Sequence, residues 1–245
     1  LVMKKTVLVL LTITAIIITA CAGPKGISEN EKLRLELKKW ESFDSQGVVE
    51  LSYKGLAIRK MFIASKNGNE LRFDIIDGGL MGSKAEPLMS VYVADYVSIR
   101  SPFIPMLESL DISQAIPMES LTLSTNVDSL VTHYAQKIIK DKKIELNGVV
   151  ISFSKNYLLD TVLDSKSNTK IKALYTGNSK LSELYITSND DISIRLSFDK
   201  IEYIQPHIVP LPKAEPSSLE NIIQDLNKIS IDSLLRDYLQ YRKEK

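Results

Sequence analysis

The side chains with the most scope for chemistry are two histidines and a single cysteine, and they lie far apart in the sequence. His133 falls within a predicted helix, and His207 falls within a proline-rich segment. A zinc site gathers about four Cys, His or carboxylate ligands, and neither histidine has a cysteine or a second histidine nearby in the sequence. We therefore predict no metal site and no cofactor, and we expect surface or capping roles for both histidines.

The carboxylates offer no clearer catalytic pair. Asp74 and Asp77 are three residues apart at the end of a predicted strand, and side chains at that spacing face opposite sides of a strand. Asp190 and Asp191 belong to a sequence that is typical of a turn. The chain contains no Gly-x-Ser-x-Gly elbow, no P-loop and no Gly-x-Gly-x-x-Gly motif. The sequence thus predicts no catalytic residues and a protein that is not an enzyme.

Cys21, the only cysteine, ends a stretch with the pattern of an export signal. Lys4 and Lys5 precede a run of apolar residues and threonine from 7 to 18, and two small residues separate this run from Cys21. A basic start, a short apolar run and a small-residue cleavage site make up a secretion signal. The run is too short to span a bilayer core of about 30 Å. We predict that residues 1–20 are a signal peptide that is removed, and that Cys21 is not a buried core residue.

The end of this stretch, Ile18-Thr19-Ala20-Cys21, resembles the bacterial lipobox. The resemblance implies a mature lipoprotein whose first residue, Cys21, carries a covalent diacylglycerol and an N-acyl chain and binds the membrane. Residues 21–26 would be a lipidated tether, and a link of about five residues reaches at most roughly 17 Å. Ala22 follows the cysteine in place of the Asp that retains enteric lipoproteins at the inner membrane. By the same resemblance we expect the outer membrane of the bacterial cell envelope, facing the periplasm.

Length and charge limit what the mature chain can be. The 225 residues that remain after cleavage suit one domain with a sizeable core. They contain 29 basic and 30 acidic side chains, without the clustered positive charge of a nucleic-acid-binding surface. With Cys21 lipidated, neither an intrachain disulfide nor a thiolate metal site can form.

The periodicity of the chain predicts a large antiparallel sheet with a few helices. A capping-box spacing at Ser28 and Glu31 predicts a helix over about 29–43. Alternating segments then predict five strands up to residue 101, with a tight turn at Asn67-Gly68. A second helix over 126–140 precedes further strands that end near Ile204, which brings the total to ten or eleven. Prolines mark an extended exit after the sheet, and an amphipathic C-terminal helix and tail follow within 213–245.

One predicted loop is unusually apolar for a turn between strands. Leu80 and Met81 are flanked by glycines between the third and fourth predicted strands. Glycine flanks give such a loop conformational freedom, and exposed apolar residues would form a contact for acyl chains or for a membrane. Alternatively, both side chains fold back onto the core.

The order of these elements resembles LolA/LolB-like envelope proteins. The residues that carry the resemblance are the lipobox, one helix, the strand Asn69-Glu70-Leu71-Arg72-Phe73-Asp74-Ile75, the apolar Gly-Leu loop and the proline-punctuated exit. The resemblance implies a curved, open antiparallel half-barrel over residues 27–212, closed by covering helices around an apolar cavity for lipoprotein acyl chains. By position, Leu80 matches the apolar loop residue of LolB-like proteins. The C-terminal helix has no counterpart in the usual pattern.

The fold class that we expect is therefore α+β and mostly antiparallel β, as an open half-barrel of ten or eleven strands. The expected function is a membrane-anchored acceptor or carrier that binds lipid or lipoprotein acyl chains in an apolar cavity. A periplasmic carrier protein is a further candidate partner. The alternative is a structural or interaction lipoprotein of the outer membrane that transports no ligand and docks through its C-terminal helix.

Overall fold

A computed structural model describes residues 27–53, 55–77, 86–102, 127–177, 179–188 and 192–213, together with residues 236 and 240. The described residues contain two helices, α1 (Glu29–Lys38) and α2 (Val127–Asp141). Their strands are β1 (Ser42–Tyr53), β2 (Leu56–Asn67), β3 (Glu70–Asp77), β4 (Glu86–Val93), β5 (Val97–Arg100), β6 (Lys143–Leu146), β7 (Val149–Phe153), β8 (Leu159–Asp164), β9 (Thr169–Thr176), β10 (Lys180–Thr187) and β11 (Ile192–Glu202).

All eleven strands form one antiparallel sheet with the order β5-β4-β3-β2-β1-β11-β10-β9-β8-β7-β6. Each half of the order is a meander of sequential neighbours, and the two meanders join where β1 pairs with β11. The chain passes from the edge strand β5 to the opposite edge strand β6 by way of α2. Because β5 and β6 do not pair with each other in this order, the sheet is open. The prediction of a mostly antiparallel, open α+β fold with ten or eleven strands is confirmed at this level.

Helix α1 begins as its sequence predicts and ends earlier. The Ser28 side chain accepts a hydrogen bond from the Glu31 backbone N–H at 3.2 Å, which caps the first turn. The prediction extended this helix to Phe43, but the chain leaves the helix after Lys38 and enters β1 at Ser42. Phe43 instead pairs with Lys66 of β2 and packs against the centre of the sheet. Strand pairing has overridden the helical pattern of the sequence here.

The two helices pack on one end of the sheet. Helix α2 buries one side, with Ile138 completely inaccessible to solvent, against Leu33 of α1 and Ile144 of β6. Arg34 and Asp128 join the exposed sides of the two helices through a contact of 3.3 Å. No helix within the described part of the chain is both long enough and apolar enough to cross a bilayer.

Candidate functional site

The site residues that the sequence predicts fall where the structure gives no description. Cys21, Leu80 and Met81 lie outside the described residues, and so do the signal peptide, the tether and nearly all of the predicted C-terminal helix. Their lipidation and membrane-contact roles stay predictions. The described residues do, however, define one broad apolar surface.

That surface is one face of the sheet, which we call the apolar face. Strand alternation and register place its members on the same side across nine strands, β1–β3 and β6–β11. Its central side chains form one cluster, which comprises Phe43, Val49, Phe62, Ala64, Phe73, Ile75, Ile194, Leu196 and Phe198. Phe62 connects the two sides of this cluster, since its ring lies 5.4 Å from the ring of Phe73 and 5.5 Å from that of Phe198.

The apolar face is covered unevenly. At the β6–β8 end, α1 and α2 bury its side chains, and Ile144 is only 1% exposed. Over β1, β2, β3 and β11, most members of the central cluster remain only partly buried. At the β1–β2 turn, Leu56 occupies the same face and is 59% exposed. Partly buried apolar side chains on a broad sheet surface are what an apolar ligand requires, because such ligands bind by contact area.

A small cavity of about 80 Å³ lies at the covered end, between the helices and the sheet. Its lining comes from α1 and the turn after it, from the start of α2, and from the apolar face of β7 and β8. The lining residues are Leu37, Trp40, Glu41, Val127, Leu130, Ile151, Phe153, Leu159 and Val162. Among the lining residues that the structure describes, Glu41 is the one ionisable member, and its carboxylate Oε1 accepts a hydrogen bond from the Val127 backbone N–H at 3.2 Å. The cavity is large enough for only a short alkyl segment.

Two lysines of β2 lie on the apolar face, six residues apart. Lys60 forms an ion pair with Asp77 of β3 at 2.6 Å. Lys66, near the other end of the strand, is only 6% exposed, and its Nζ donates to the backbone oxygens of Gly68 at 2.6 Å and Glu41 at 3.4 Å. Burial lowers the pKa of Lys66 from its ordinary value, and the negative charge of Glu41 opposes this shift only in part.

Sequence reasoning did not identify either lysine as a functional residue. The sequence did contain the information that was needed, because positions 60, 62, 64 and 66 alternate along a strand and therefore lie on one side of it. That alternation puts both lysines on the same face as Phe62 and Ala64. In the sequence alone, such lysines are easily assigned to the solvated side of a half-buried strand.

A buried tyrosine also lies on the apolar face, at the end of β9. The Tyr175 hydroxyl is inaccessible and has no hydrogen-bond partner among the described residues. Burial is the main cause that raises the pKa of Tyr175, and the charges of nearby groups, including Glu36 of α1, add to it. This hydroxyl stays neutral in the physiological range.

The opposite face of the sheet carries two ion pairs. Arg72 and Asp74 form an ion pair at 2.9 Å, while Asp77 pairs with Lys60 across the sheet's other side. The expected separation of Asp74 and Asp77 onto opposite faces is therefore correct. Arg195 and Glu183 form a further pair at 2.6 Å.

The proline-rich exit crosses this opposite face as an extended strap, residues 203–213. Arg72 Nη1 donates to the Val209 oxygen at 2.7 Å, and the Tyr96 hydroxyl donates to the Leu211 oxygen at 2.6 Å. Ile208 and Leu211 pack against Tyr92, whose pKa is raised to about 12, chiefly by burial and then by its hydrogen bond to Glu70. The strap thus ties the end of β11 to β3, β4 and β5.

The histidines are separated by the fold as they are by the sequence. His133 is exposed on α2, with Nδ1 at 2.8 Å from the Ser129 oxygen, and His207 belongs to the strap. Within the described ranges, no three His, Cys, Asp or Glu side chains are grouped closely enough to hold a metal ion. The predictions of no metal, no cofactor and no enzymatic activity stay predictions.

Comparison with known proteins gives this chain no family. No family model matches it, and no curated protein matches it. Among solved structures, a DUF1329 family protein from Desulfovibrio piger is similar over 72% of this chain and 92% of its own, at 9% identity and a TM-score of 0.29. A likeness of this size carries no argument about fold or function. The function of this protein is therefore inferred from its own sequence and structure.

Proposed function

We propose that this protein is a membrane-anchored lipoprotein of the bacterial envelope that binds lipid or lipoprotein acyl chains against its apolar face. The observation that carries the proposal is the apolar face itself, which is only partly buried over β1, β2, β3 and β11. In this account the sheet is a LolA/LolB-like half-barrel, and α1 and α2 cover one end of it. Each buried methylene of an acyl chain contributes roughly 0.8 kcal/mol, so apolar contact alone supplies useful affinity.

The anchor and the binding face act together in this proposal. A lipid on Cys21 holds the folded body close to the outer membrane, since helix α1 begins at Glu29, only eight residues later. Leu80 and Met81 belong to the connection between β3 and β4, which leaves the sheet at Asp77. There they would provide an apolar contact between the rim of the apolar face and the bilayer. The cargo could then pass to or from the membrane directly, or through a periplasmic carrier protein.

Native mass spectrometry of protein purified from its host tests the proposal. We expect co-purifying acyl ligands, and we expect the delipidated protein to take up a fluorescent fatty acid. A variant with Leu196→Glu should lose this uptake, because it places a charge in the centre of the apolar face. Ser197→Glu, one residue further on and facing the other way, is the matched control. Neither ligand nor uptake in the wild-type protein would contradict the proposal.

A second candidate function is an interaction lipoprotein without a transported ligand. It is favoured by an apolar row on the opposite face, where Val48, Met61 and Ile76 are register partners on three adjacent strands. Met61 is 50% exposed and the neighbouring Ile63 is 40% exposed, which is unusual for the solvent side of an antiparallel sheet. Loss of a stable protein complex from envelope extracts on Met61→Lys, with acyl uptake absent, would support this second function over the first.

A further inference from the structure

Lys66 is the charged residue that the described chain buries most deeply, and it lies on the apolar face. It is 6% exposed, and its register partners are Phe43 of β1 and Leu71 of β3. Moving an ammonium group out of water is unfavourable unless a counter-charge or strong hydrogen bonds compensate it. A buried cation amid apolar partners therefore requires an explanation.

The partners of Lys66 within the described residues are neutral. Its Nζ is bonded to two backbone oxygens, one of them at the long distance of 3.4 Å, and no described carboxylate lies within 4.0 Å of it. Lys60, on the same strand and the same face, shows the contrasting arrangement, because Asp77 neutralises it at 2.6 Å. The Glu41 carboxylate, whose negative charge acts on Lys66, is hydrogen-bonded to the first backbone N–H of α2 instead. The lysine has thus kept its capacity to pair with an anion.

Lys66 also contacts a residue that lines the cavity. Glu41 is one of the lining residues of the 80 Å³ cavity, and its backbone oxygen accepts the hydrogen bond from Lys66 Nζ. Along β2, the six residues from Lys66 to Lys60 span about 20 Å. Phe62 and Ala64 between them are buried, but their register partners on β3, Ile75 and Phe73, are only partly buried and supply apolar surface along the same line. A single leaflet of acyl chains is about 15 Å thick, so this run is long enough for one extended chain.

We propose that the ligand of the apolar face is an amphiphile with an anionic head group, a carboxylate or a phosphate, that forms an ion pair with Lys66. Its alkyl chain lies along Phe73 and Ile75 of β3, the partly buried register partners of Ala64 and Phe62, toward Lys60. This inference rests on the proposed acyl-binding function and adds the charge and the orientation of the ligand. A pKa of Lys66 that burial has lowered would rise again once the anion is bound.

Displacement of a fluorescent fatty-acid probe by palmitate, hexadecyl phosphate and methyl palmitate tests the head-group charge. We expect the wild-type protein to bind palmitate or the alkyl phosphate at least tenfold more tightly than the ester. Lys66→Met should bind all three with the affinity of the ester, and Lys66→Arg should retain part of the preference. Lys60→Met is the matched control and should keep the full preference. Inorganic phosphate alone should not displace the probe, since the alkyl chain supplies most of the contact.

The outcomes separate this inference from the function on which it rests. Equal affinity of the wild-type protein for acid and ester, or an unchanged preference in Lys66→Met, would overturn the role of Lys66 and leave acyl binding intact. No binding of any amphiphile would overturn both. If Lys66→Met does not fold, NMR of the wild-type protein with 13C-methylated lysines decides the question. The resonance of Lys66 should titrate at a higher pH with palmitate than with the ester, and equal titration would contradict the proposal.

Discussion

At the scale of single residues, the least expected feature is a lysine buried on an apolar surface. Lys66 ties together two turns, because its Nζ reaches the oxygen of Gly68 in the β2–β3 turn and that of Glu41 before β1. The Gly68 backbone N–H donates to the same Glu41 oxygen at 2.9 Å. These bonds hold the lysine in place without neutralising it. An anchoring role for a ligand and a modest cost to the stability of the ligand-free protein follow from the same arrangement.

The buried charge of Lys66 should make the stability of the protein depend on pH. The folded-state pKa of Lys66 lies below its ordinary value of 10.5, so between these two values the unfolded chain binds more protons than the folded one. The free energy of unfolding contributed by Lys66 therefore rises as the pH rises through this interval. At neutral pH, Lys66→Met should be as stable as the wild-type protein or more stable by up to about 1 kcal/mol.

Urea unfolding of both proteins at several pH values between 7 and 10 measures this difference. The difference in free energy of unfolding in favour of Lys66→Met should shrink as the pH increases. The reason is that the wild-type lysine loses its proton, and with it the cost of burying a charge. Lys60→Met serves as the control and should be destabilised at pH 7, since it leaves Asp77 without its 2.6 Å partner. If this difference in the free energy of unfolding grew with pH, the folded protein would not disfavour the charged lysine, and the prediction would be wrong.

The sequence predicts some residue roles well and others poorly. Ser28 caps α1, and Asp74 and Asp77 separate onto opposite faces, because both properties depend on neighbours within three residues. The environment of Lys66 depends on a turn that is 25 residues away in the chain. Local patterns contain no information about such a contact, so the lysine could not be recognised before its surroundings were known.

At the scale of elements, the seam between β1 and β11 joins the two halves of the sheet. The pairing register shifts between Gln46 and Gly47, next to the point where β11 passes from Phe198 to Lys200. Gly47 is buried there, and a Cβ at this position would overlap the backbone oxygen of Ser197. The two backbones approach so closely that only glycine fits.

We therefore predict that Gly47→Ala destabilises the whole sheet. Relief of the overlap requires a backbone shift at the seam, and overpacking of this kind typically lowers the free energy of unfolding by roughly 1–3 kcal/mol. Chemical denaturation measures the loss. Gln46→Ala is the control, because Gln46 is exposed beside the same seam and surface changes usually stay within about 0.5 kcal/mol. Equal stability of the two variants would contradict the close approach of the β1 and β11 backbones at Gly47.

Element boundaries show where local sequence signals fail. The apolar spacing of Leu33, Leu37 and Trp40 predicted a longer first helix, but Trp40 belongs to a turn and lines the cavity. Residues 42–46 have no strong strand pattern of their own, and their pairing with residues 63–67 makes them strand. Partners that are distant in sequence decided this boundary. The tight turn predicted at Asn67-Gly68 forms one residue later, because Asn67 ends β2 in register with Glu70 and Gly68, with a φ of 58°, is the first of the two turn residues.

At the scale of the whole molecule, the sheet has its central apolar cluster on one side and the strap with two of the ion pairs on the other. Strand number and antiparallel pairing follow from alternation and short turns in the sequence. The pairing of β1 with β11 does not, because it joins strands that are about 150 residues apart and requires the crossing from β5 to β6. This pairing creates the continuous apolar face, since it places Leu196 and Phe198 beside Val49 and Phe62. The candidate binding surface is therefore a product of topology.

Photo-crosslinking with a diazirine-bearing fatty acid tests the central claim most directly, because β2 carries residues of both faces in alternation. Phe62 and Ala64 lie on the apolar face, and Met61 and Ile63 lie on the opposite face. Residue-level mass spectrometry should find label on the partly buried side chains that surround Phe62 on the apolar face, Phe73, Ile75, Leu196 and Phe198, and excess unlabelled palmitate should abolish it. Two results would contradict acyl binding at this surface. One is label on Met61 and Ile63 that palmitate abolishes, and the other is the absence of any such palmitate-sensitive label on the apolar face.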